Sequence, residues 1–304
     1  MAYILLILAP LFWSGNFVVA RGIHEMVPPV GLAFWRWTLA LIIFLPFCAW
    51  PLFRKRMVVI RHWKLLALLG LLSVTNFSLF IYQALQATTV VNTALVNSFY
   101  PVMIVIVSWI GYRDGITLRQ AIGVLASLAG LFWILSRGQP AALLELRFST
   151  GDLWTLAAGL SWAFYSVLLR KRPAELDHRS FLGGLMLFGT LFLIPFYAWE
   201  LSAAGGFALT RPALGGIVYV AVFPSILAYL CWNMGVERIG ANKAGIFVHL
   251  IPVFSILLAL ALLGESLQPW HLPGMILIFA GIFLTTARRL SSVGPAATVP
   301  KKKS

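Results

Sequence analysis

In this 304-residue chain the groups able to do chemistry are sparse, and they sit on helical faces inside apolar runs. Trp13 and Asn16 stand three apart, and Trp162 and Tyr165 repeat that spacing. Thr75, Ser78 and Tyr82 follow at intervals of three and four. So do Thr93, Asn97 and Tyr100, and Ser225, Tyr229 and Trp232 in the opposite order of intervals. Such intervals bring side chains onto one face of an α-helix. His249 lies in a further apolar run, and Arg36 is a cation inside another. These groups suit the holding of a solute: rings for stacking and cation–π contact, amides and hydroxyls for a few hydrogen bonds. They do not suit bond making. The sequence carries no Gly-x-Ser-x-Gly, no His-Glu-x-x-His, no cysteine cluster and no paired carboxylates inside its apolar runs, so an enzyme is not expected. His249 has no second ligand at metal spacing, and neither a metal nor a cofactor is expected.

Each of these residues also has a plainer reading. Trp and Tyr gather at membrane interfaces, as Trp50, Trp63, Trp199 and Trp270 are expected to do. Trp13 and Trp162 stand near the middle of their runs, where interface anchoring explains little. For Asn97, Tyr100 and Tyr229 the alternative is interhelical hydrogen bonding at roughly 0.6–2 kcal/mol each. His249 contacts either a solute or proton, or else packs with its own hydrogen bonds. Arg36 costs roughly 3 kcal/mol or more in a span unless paired or hydrated. It either snorkels outward, satisfies helix-end carbonyls, or attracts a substrate carboxylate.

The elements that must position these groups follow from composition. The chain is 61% hydrophobic and 11% charged, with mean hydropathy +0.91. Soluble domains are roughly half apolar and a quarter charged. That excludes a soluble enzyme, a disordered protein and a nucleic-acid binder, and predicts an all-α polytopic membrane protein in a lipid bilayer. Apolar runs lie near 3–20, 32–52, 65–85, 90–111, 120–136, 153–169, 181–199, 213–233, 244–263 and 272–287. At about 20 residues per crossing these predict ten transmembrane helices, the third and fourth joined as a tight hairpin. The first run has no basic stretch before it and reads as a retained span. Cys48 and Cys231 lie in apolar runs and read as small packing residues.

Charge sets the orientation. The formal net charge is +14. Eighteen Lys and Arg fall in the even-numbered connections and the tail, against four in the odd-numbered ones, and Arg36 lies within a span. Basic residues stay with cytoplasmic loops, so both termini are expected in the cytoplasm. Asp114, Asp152, Glu200, Glu237 and Glu265 all fall at run ends. The lack of a carboxylate inside a span favours uniport, or coupling through a site that the sequence does not reveal.

The chain also repeats itself. At a spacing of 149, Leu11, Trp13, Val18 and Arg21 fall on Leu160, Trp162, Val167 and Arg170. The stretch Pro46 to Trp50 falls on Pro195 to Trp199. At a spacing of 151, Pro101 meets Pro252, Asp114 meets Glu265, Gly123 meets Gly274, and Ala129-Gly130 meets Ala280-Gly281. A unit of five spans must enter the bilayer from opposite sides in its two copies, giving two inverted five-helix repeats. Their seam lies near mid-bilayer, and rocking about it would give alternating access to one solute site. The glycine pairs, seven apart, read as close helix packing. Pro101 and Pro252, read as mid-helix, are expected either to hinge or gate or simply to kink.

Several of these residues form motifs of a known family. Leu11-Phe12-Trp13-Ser14-Gly15-Asn16-Phe17, Pro28-Pro29 with Phe34-Trp35-Arg36-Trp37, Tyr100-Pro101-Val102, Ile251-Pro252-Val253-Phe254, and Gly264-Glu265 with Gly274 and Gly281 carry the likeness. Over about residues 3–287 the chain resembles the drug/metabolite transporter superfamily, as two EamA-type repeats. Arg113-Asp114 stands where the second half has Gly264-Glu265, a departure from the pattern. The aromatic-rich spans resemble YddG-type aromatic amino acid exporters. The resemblance implies a bacterial inner-membrane exporter, with repeats over 1–137 and 152–290, a linker over 138–151 and a basic tail over 291–304. It implies a small amphipathic solute, an aromatic amino acid foremost, with other metabolites or cationic drugs as the alternative. The expected contacts are Trp13, Asn16, Tyr82, Asn97, Tyr100, Trp162, Tyr165, Tyr229 and His249. No nucleic-acid partner is expected, and the chain is expected to be a monomer.

Overall fold

The computed structural model describes residues 1–23, 26–87, 93, 96–141, 149–263 and 267–286. Among them all regular structure is helical. The rods are α1 (Ala2–Ile23), α2 (Pro29–Arg54), α3 (Trp63–Ala87), α4 (Tyr100–Tyr112), α5 (Leu118–Leu135), α6 (Thr150–Leu168), α7 (His178–Ala204), α8 (Arg211–Ile239), α9 (Ala241–Gly245, continued through Ile246–His249 and Leu250–Leu263) and α10 (His271–Thr286). Seven are long and apolar enough to cross a membrane, and α4, α10 and the Ala2–Asn16 part of α1 are shorter apolar helices. The hairpin expected between the third and fourth runs, Gly264-Glu265, Arg147 and the tail fall outside the described residues.

Local chemistry sets the helix ends. Thr117 and Gln120 form a reciprocal capping box at the start of α5, and ahead of α6 the Ser149 amide donates to Asp152 Oδ2 at 2.7 Å. Thr210 accepts from the Ala213 amide at the start of α8. Pro29 opens α2, where its missing N–H would be unpaired in any case. Gly240 closes α8 at φ +81°, a left-handed conformation that disfavours a side chain.

Two helices are not regular. Leu71–Asn76 inside α3 and Ala221–Leu227 inside α8 take a wider π-type turn, at matching depth in the two halves of the chain. Such turns leave carbonyls facing sideways and are frequent at functional sites. Pro224 explains the second, since it lacks a donor for the ladder. Ser225 Oγ donates to the Val220 carbonyl and Tyr229 OH to the Ser73 carbonyl. The wider turns thus position polar groups at the core.

Packing joins the two halves throughout. α2 lies along α7, α5 along α10, α3 and α4 against α6, and α1 against α8 and α9. The α5–α10 seam is the closest. A Cβ on Gly130 would stand 2.5 Å from the Gly274 carbonyl oxygen, and one on Gly281 would stand 2.4 Å from that of Gly123. The four glycines are what allow these backbones to touch.

One of the prolines corrects a sequence expectation. Pro101 lies in the first turn of α4, and Pro252 is the third residue after the 3-10 turn Ile246–His249 of α9. Pro101 therefore does not sit mid-helix, and at a helix start proline removes a donor that has no partner. Pro252 lies inside the rod α9, where its 3-10 turn passes into the α-helical Leu250–Leu263.

Candidate functional site

α1, α2, α3, α4, α6 and α9 surround a central cavity of about 40 Å³. With Val96–Asn97 just ahead of α4, it is lined by Trp13, Asn16, Arg36, Phe77, Ile81, Asn97, Tyr100, Trp162, Val248 and Ile251. Its floor is aromatic. Trp13 meets Trp162 edge to face at 5.1 Å between ring centroids, and Phe77 lies 5.1 Å from Trp162. Trp232 and Tyr229 close the cluster from behind at 5.5 Å from Trp162. Trp13 is tied by its indole N–H to the Pro224 carbonyl, 3.1 Å away in the irregular turn of α8. Tyr100 packs its ring against the bare backbone of Gly159 and donates to the Thr155 carbonyl at 3.3 Å.

The polar side of the cavity is built around Arg36, only 1% exposed. It does not snorkel. Its Nε donates to Ser225 Oγ at 2.5 Å and its Nη1 to Tyr82 OH at 2.9 Å, and Tyr82 OH donates on to Asn16 Oδ1 at 3.3 Å. The guanidinium lies 5.1 Å from the Trp37 ring centroid. Among the described residues no carboxylate forms an ion pair with it. Asn97 Oδ1, buried in the same wall, accepts no hydrogen bond from the described residues.

Of the residues expected at a solute site, Trp13, Asn16, Asn97, Tyr100, Trp162 and Arg36 line the cavity together. Tyr82 stands one layer back, holding Arg36. Tyr165 donates to Asn233 Oδ1 at 2.5 Å and Tyr229 to Ser73, both behind the aromatic floor. His249 is 1% exposed, with Ser98 O 2.9 Å from its Nε2 and Ser127 Oγ 2.6 Å from its Nδ1. A carbonyl only accepts, so Nε2 carries the proton and Nδ1 accepts from Ser127, which is the packed arrangement. Sequence reasoning passed over Phe77, Ile81, Val248 and Ile251, because apolar side chains carry no signal that separates a cavity wall from a core. It also passed over Trp37, whose indole donates to Ser78 Oγ at 2.7 Å behind Arg36.

The two ends of the bundle are held differently. At the end bearing the α2–α3, α4–α5, α6–α7 and α8–α9 connections, ion pairs tie the helices together, two of them across the halves of the chain. Arg170 pairs with Asp114, and Lys55 Nζ with Asp177 Oδ1 at 3.1 Å. Arg172 pairs with Glu237, which His178 also approaches at 3.3 Å. The Arg170 hydrogen bond holds the Asp114 carboxyl below the usual carboxylate range. Asp177 is lowered too: burial pulls it up, but hydrogen bonds from Ser180 and Lys55 outweigh that. At the other end Glu200 caps α2, accepting from the amides of Val30 at 3.0 Å and Gly31 at 2.6 Å. A carboxylate at a helix N-terminus also meets the favourable end of its dipole.

A bundle of membrane-length apolar helices around a small aromatic cavity with one buried cation is the architecture of a membrane solute carrier. The EamA-like transporter family model matches residues 1–136 and 149–287, and the chain belongs to that family. An uncharacterized transporter of Archaeoglobus fulgidus is 28% identical over 290 residues, covering 94% of this chain and 98% of its own. The uncharacterized transporter YyaM of Bacillus subtilis is 26% identical over 280 residues, with 92% of each chain covered. A crystal structure at 22% identity aligns with TM-score 0.78 over 96% of this chain and 99% of its own, a likeness of fold. The chain is a multi-pass membrane transporter.

Proposed function

We propose that this chain is an alternating-access uniporter that exports small amphipathic solutes, aromatic amino acids foremost, across a bacterial inner membrane. The observation that carries the reading is the contact between Trp13 and Trp162 in the cavity wall. The two residues hold the same place in the two halves of the sequence. So do Asn97 and Val248, and Tyr100 and Ile251, at a spacing of 151, and all six line the cavity. Ten spans in two inverted five-helix repeats account for this, with units at 1–137 and 152–290. The two separate family matches, and the pairing of α2 with α7 and α5 with α10, support the same arrangement.

The lining suits an aromatic zwitterion. Four aromatic rings supply an apolar wall and faces for an ammonium group. Asn97 Oδ1 is an open acceptor for the same ammonium. A cavity of about 40 Å³ has room for a few water molecules, at roughly 10–15 Å³ each, and not for an amino acid. The solute therefore enters only when the halves move apart. With both termini cytoplasmic, the ion pairs of Asp114 with Arg170 and of Asp177 with Lys55 close the inner end in this conformation.

The test is flux of labelled phenylalanine and tryptophan in proteoliposomes of the purified chain, with and without a pH gradient. Saturable flux that needs no gradient is expected, lost in Trp162→Ala and Tyr82→Ala and kept in Trp199→Ala. Equal loss in all three would reduce the map to folding effects. No flux of either amino acid would overturn the reading of the solute.

A further inference from the structure

We infer that Arg36 is the receptor for the solute's carboxylate, so that a single negative charge on the solute strengthens binding. The inference rests on the carrier reading above and deepens it. Three features of the geometry lead to it. The guanidinium is buried, lines the cavity and forms no ion pair among the described residues. Of its five N–H donors, Ser225 and Tyr82 take two. Those two acceptors are neutral and are themselves anchored, Ser225 to Val220 O and Tyr82 to Asn16, so the fork is held in place without being neutralised.

A structural arginine in a membrane core is usually paired with an acid, because an unpaired buried charge is expensive. Here no acid pairs with it among the described residues, and Arg36 itself lines the cavity. A planar carboxylate matches the guanidinium fork with two parallel hydrogen bonds. No second cation among the described residues lines the cavity, which fits one negative charge rather than two. The position is also unduplicated. Leu185 stands at its counterpart in the second half, so the solute binds in one orientation, carboxylate toward α2 and ring toward Trp13 and Trp162.

The experiment is equilibrium binding to the purified full-length chain in lipid nanodiscs. The probes are phenylalanine, phenylalaninamide, 3-phenylpropionate, phenethylamine and hexanoate. Wild type is expected to bind phenylalanine roughly ten- to hundredfold tighter than its amide, the range for hydrogen bonds to a charged group. Arg36→Gln is expected to abolish that ratio while phenethylamine still binds, with thermal stability unchanged or raised because an uncompensated charge has gone. Arg36→Lys is expected to keep part of the ratio. Equal wild-type affinity for phenylalanine and its amide, or an unchanged ratio in Arg36→Gln, would overturn the inference. If Arg36→Gln does not fold, the wild-type acid-to-amide ratio and Arg36→Lys decide. Binding of hexanoate without any aromatic acid would keep Arg36 and sink the aromatic solute. Aromatic amines and amides binding as well as the acids would do the reverse. Binding of no carboxylate at all would overturn the assignment.

Discussion

The indole of Trp13 meets that of Trp162 edge to face at 5.1 Å, across the middle of the bundle. Two positions exchanged by a two-fold axis touch only near that axis. On the proposed inverted repeat, this contact marks the point where the halves rock.

Replacing Trp162 should therefore affect transport and stability together. It is 2% exposed and touches Trp13, Phe77, Tyr165, Tyr229 and Trp232. Trp162→Ala leaves a void and should lower stability by about 3–5 kcal/mol. Trp162→Phe should recover most of the stability and part of the flux. Trp199, 69% exposed, serves as the control: Trp199→Ala should change neither thermal unfolding nor flux.

The α5–α10 seam should not tolerate a methyl group. Gly130→Ala sets a Cβ 2.5 Å from a backbone oxygen, which no side-chain rotation relieves. The cost should be about 1–3 kcal/mol, the usual penalty for overpacking. Nothing lies within 4 Å of a Cβ on Gly111, so Gly111→Ala should be neutral or stabilising. Thermal unfolding of the two variants side by side checks this; equal behaviour would contradict the close seam.

Glu200 joins α7 to the start of α2, and Glu200→Gln keeps its shape while removing its charge. Hydrogen bonds to charged groups contribute roughly 1.5–3 kcal/mol. The variant should melt lower by an amount in that range at neutral pH. It should leave the acid-to-amide binding ratio of the cavity intact. A changed ratio with unchanged melting would mean that Glu200 acts on the site rather than on the fold.

The Asp114–Arg170 pair predicts a flat pH response. The carboxyl's folded value lies below the unfolded one, so its contribution is present above about pH 3.9 and lost as pH falls through the lowered folded value. From pH 5 to 8 the carboxylate stays charged, and no step in flux should trace to it. Asp114→Asn should weaken the closed inner end at every pH in that range. Labelling of a cysteine at position 97 from the inner side, in a background lacking Cys48 and Cys231, should rise. A wild-type step near pH 5–7 that Asp114→Asn removes would contradict this.

Much of the scaffold is legible from composition and periodicity alone. A bilayer demands long apolar helices, and their lengths read directly from the runs; α2, α6 and α7 lie within a few residues of expectation. The spacings of Trp13 from Asn16, and of Asn97 from Tyr100, place polar groups on single faces, and those four do meet in one wall. The glycine pairs 123/130 and 274/281 announce a close seam because only glycine lets two backbones touch. What only the tertiary structure decided is depth and direction. Helical spacing gives a face but not which neighbour that face meets, so Tyr82, Tyr165, Tyr229 and His249 looked equivalent to Trp13 and stand one layer behind it. Of the two π-type turns, the one in α8 that seats Ser225 traces to Pro224, whereas no residue of Leu71–Asn76 marks the one in α3. For Arg36 the sequence allowed three fates. Packing excludes only the outward one, because Ser225 of α8 and Tyr82 of α3 hold the guanidinium inside, a meeting no local pattern encodes.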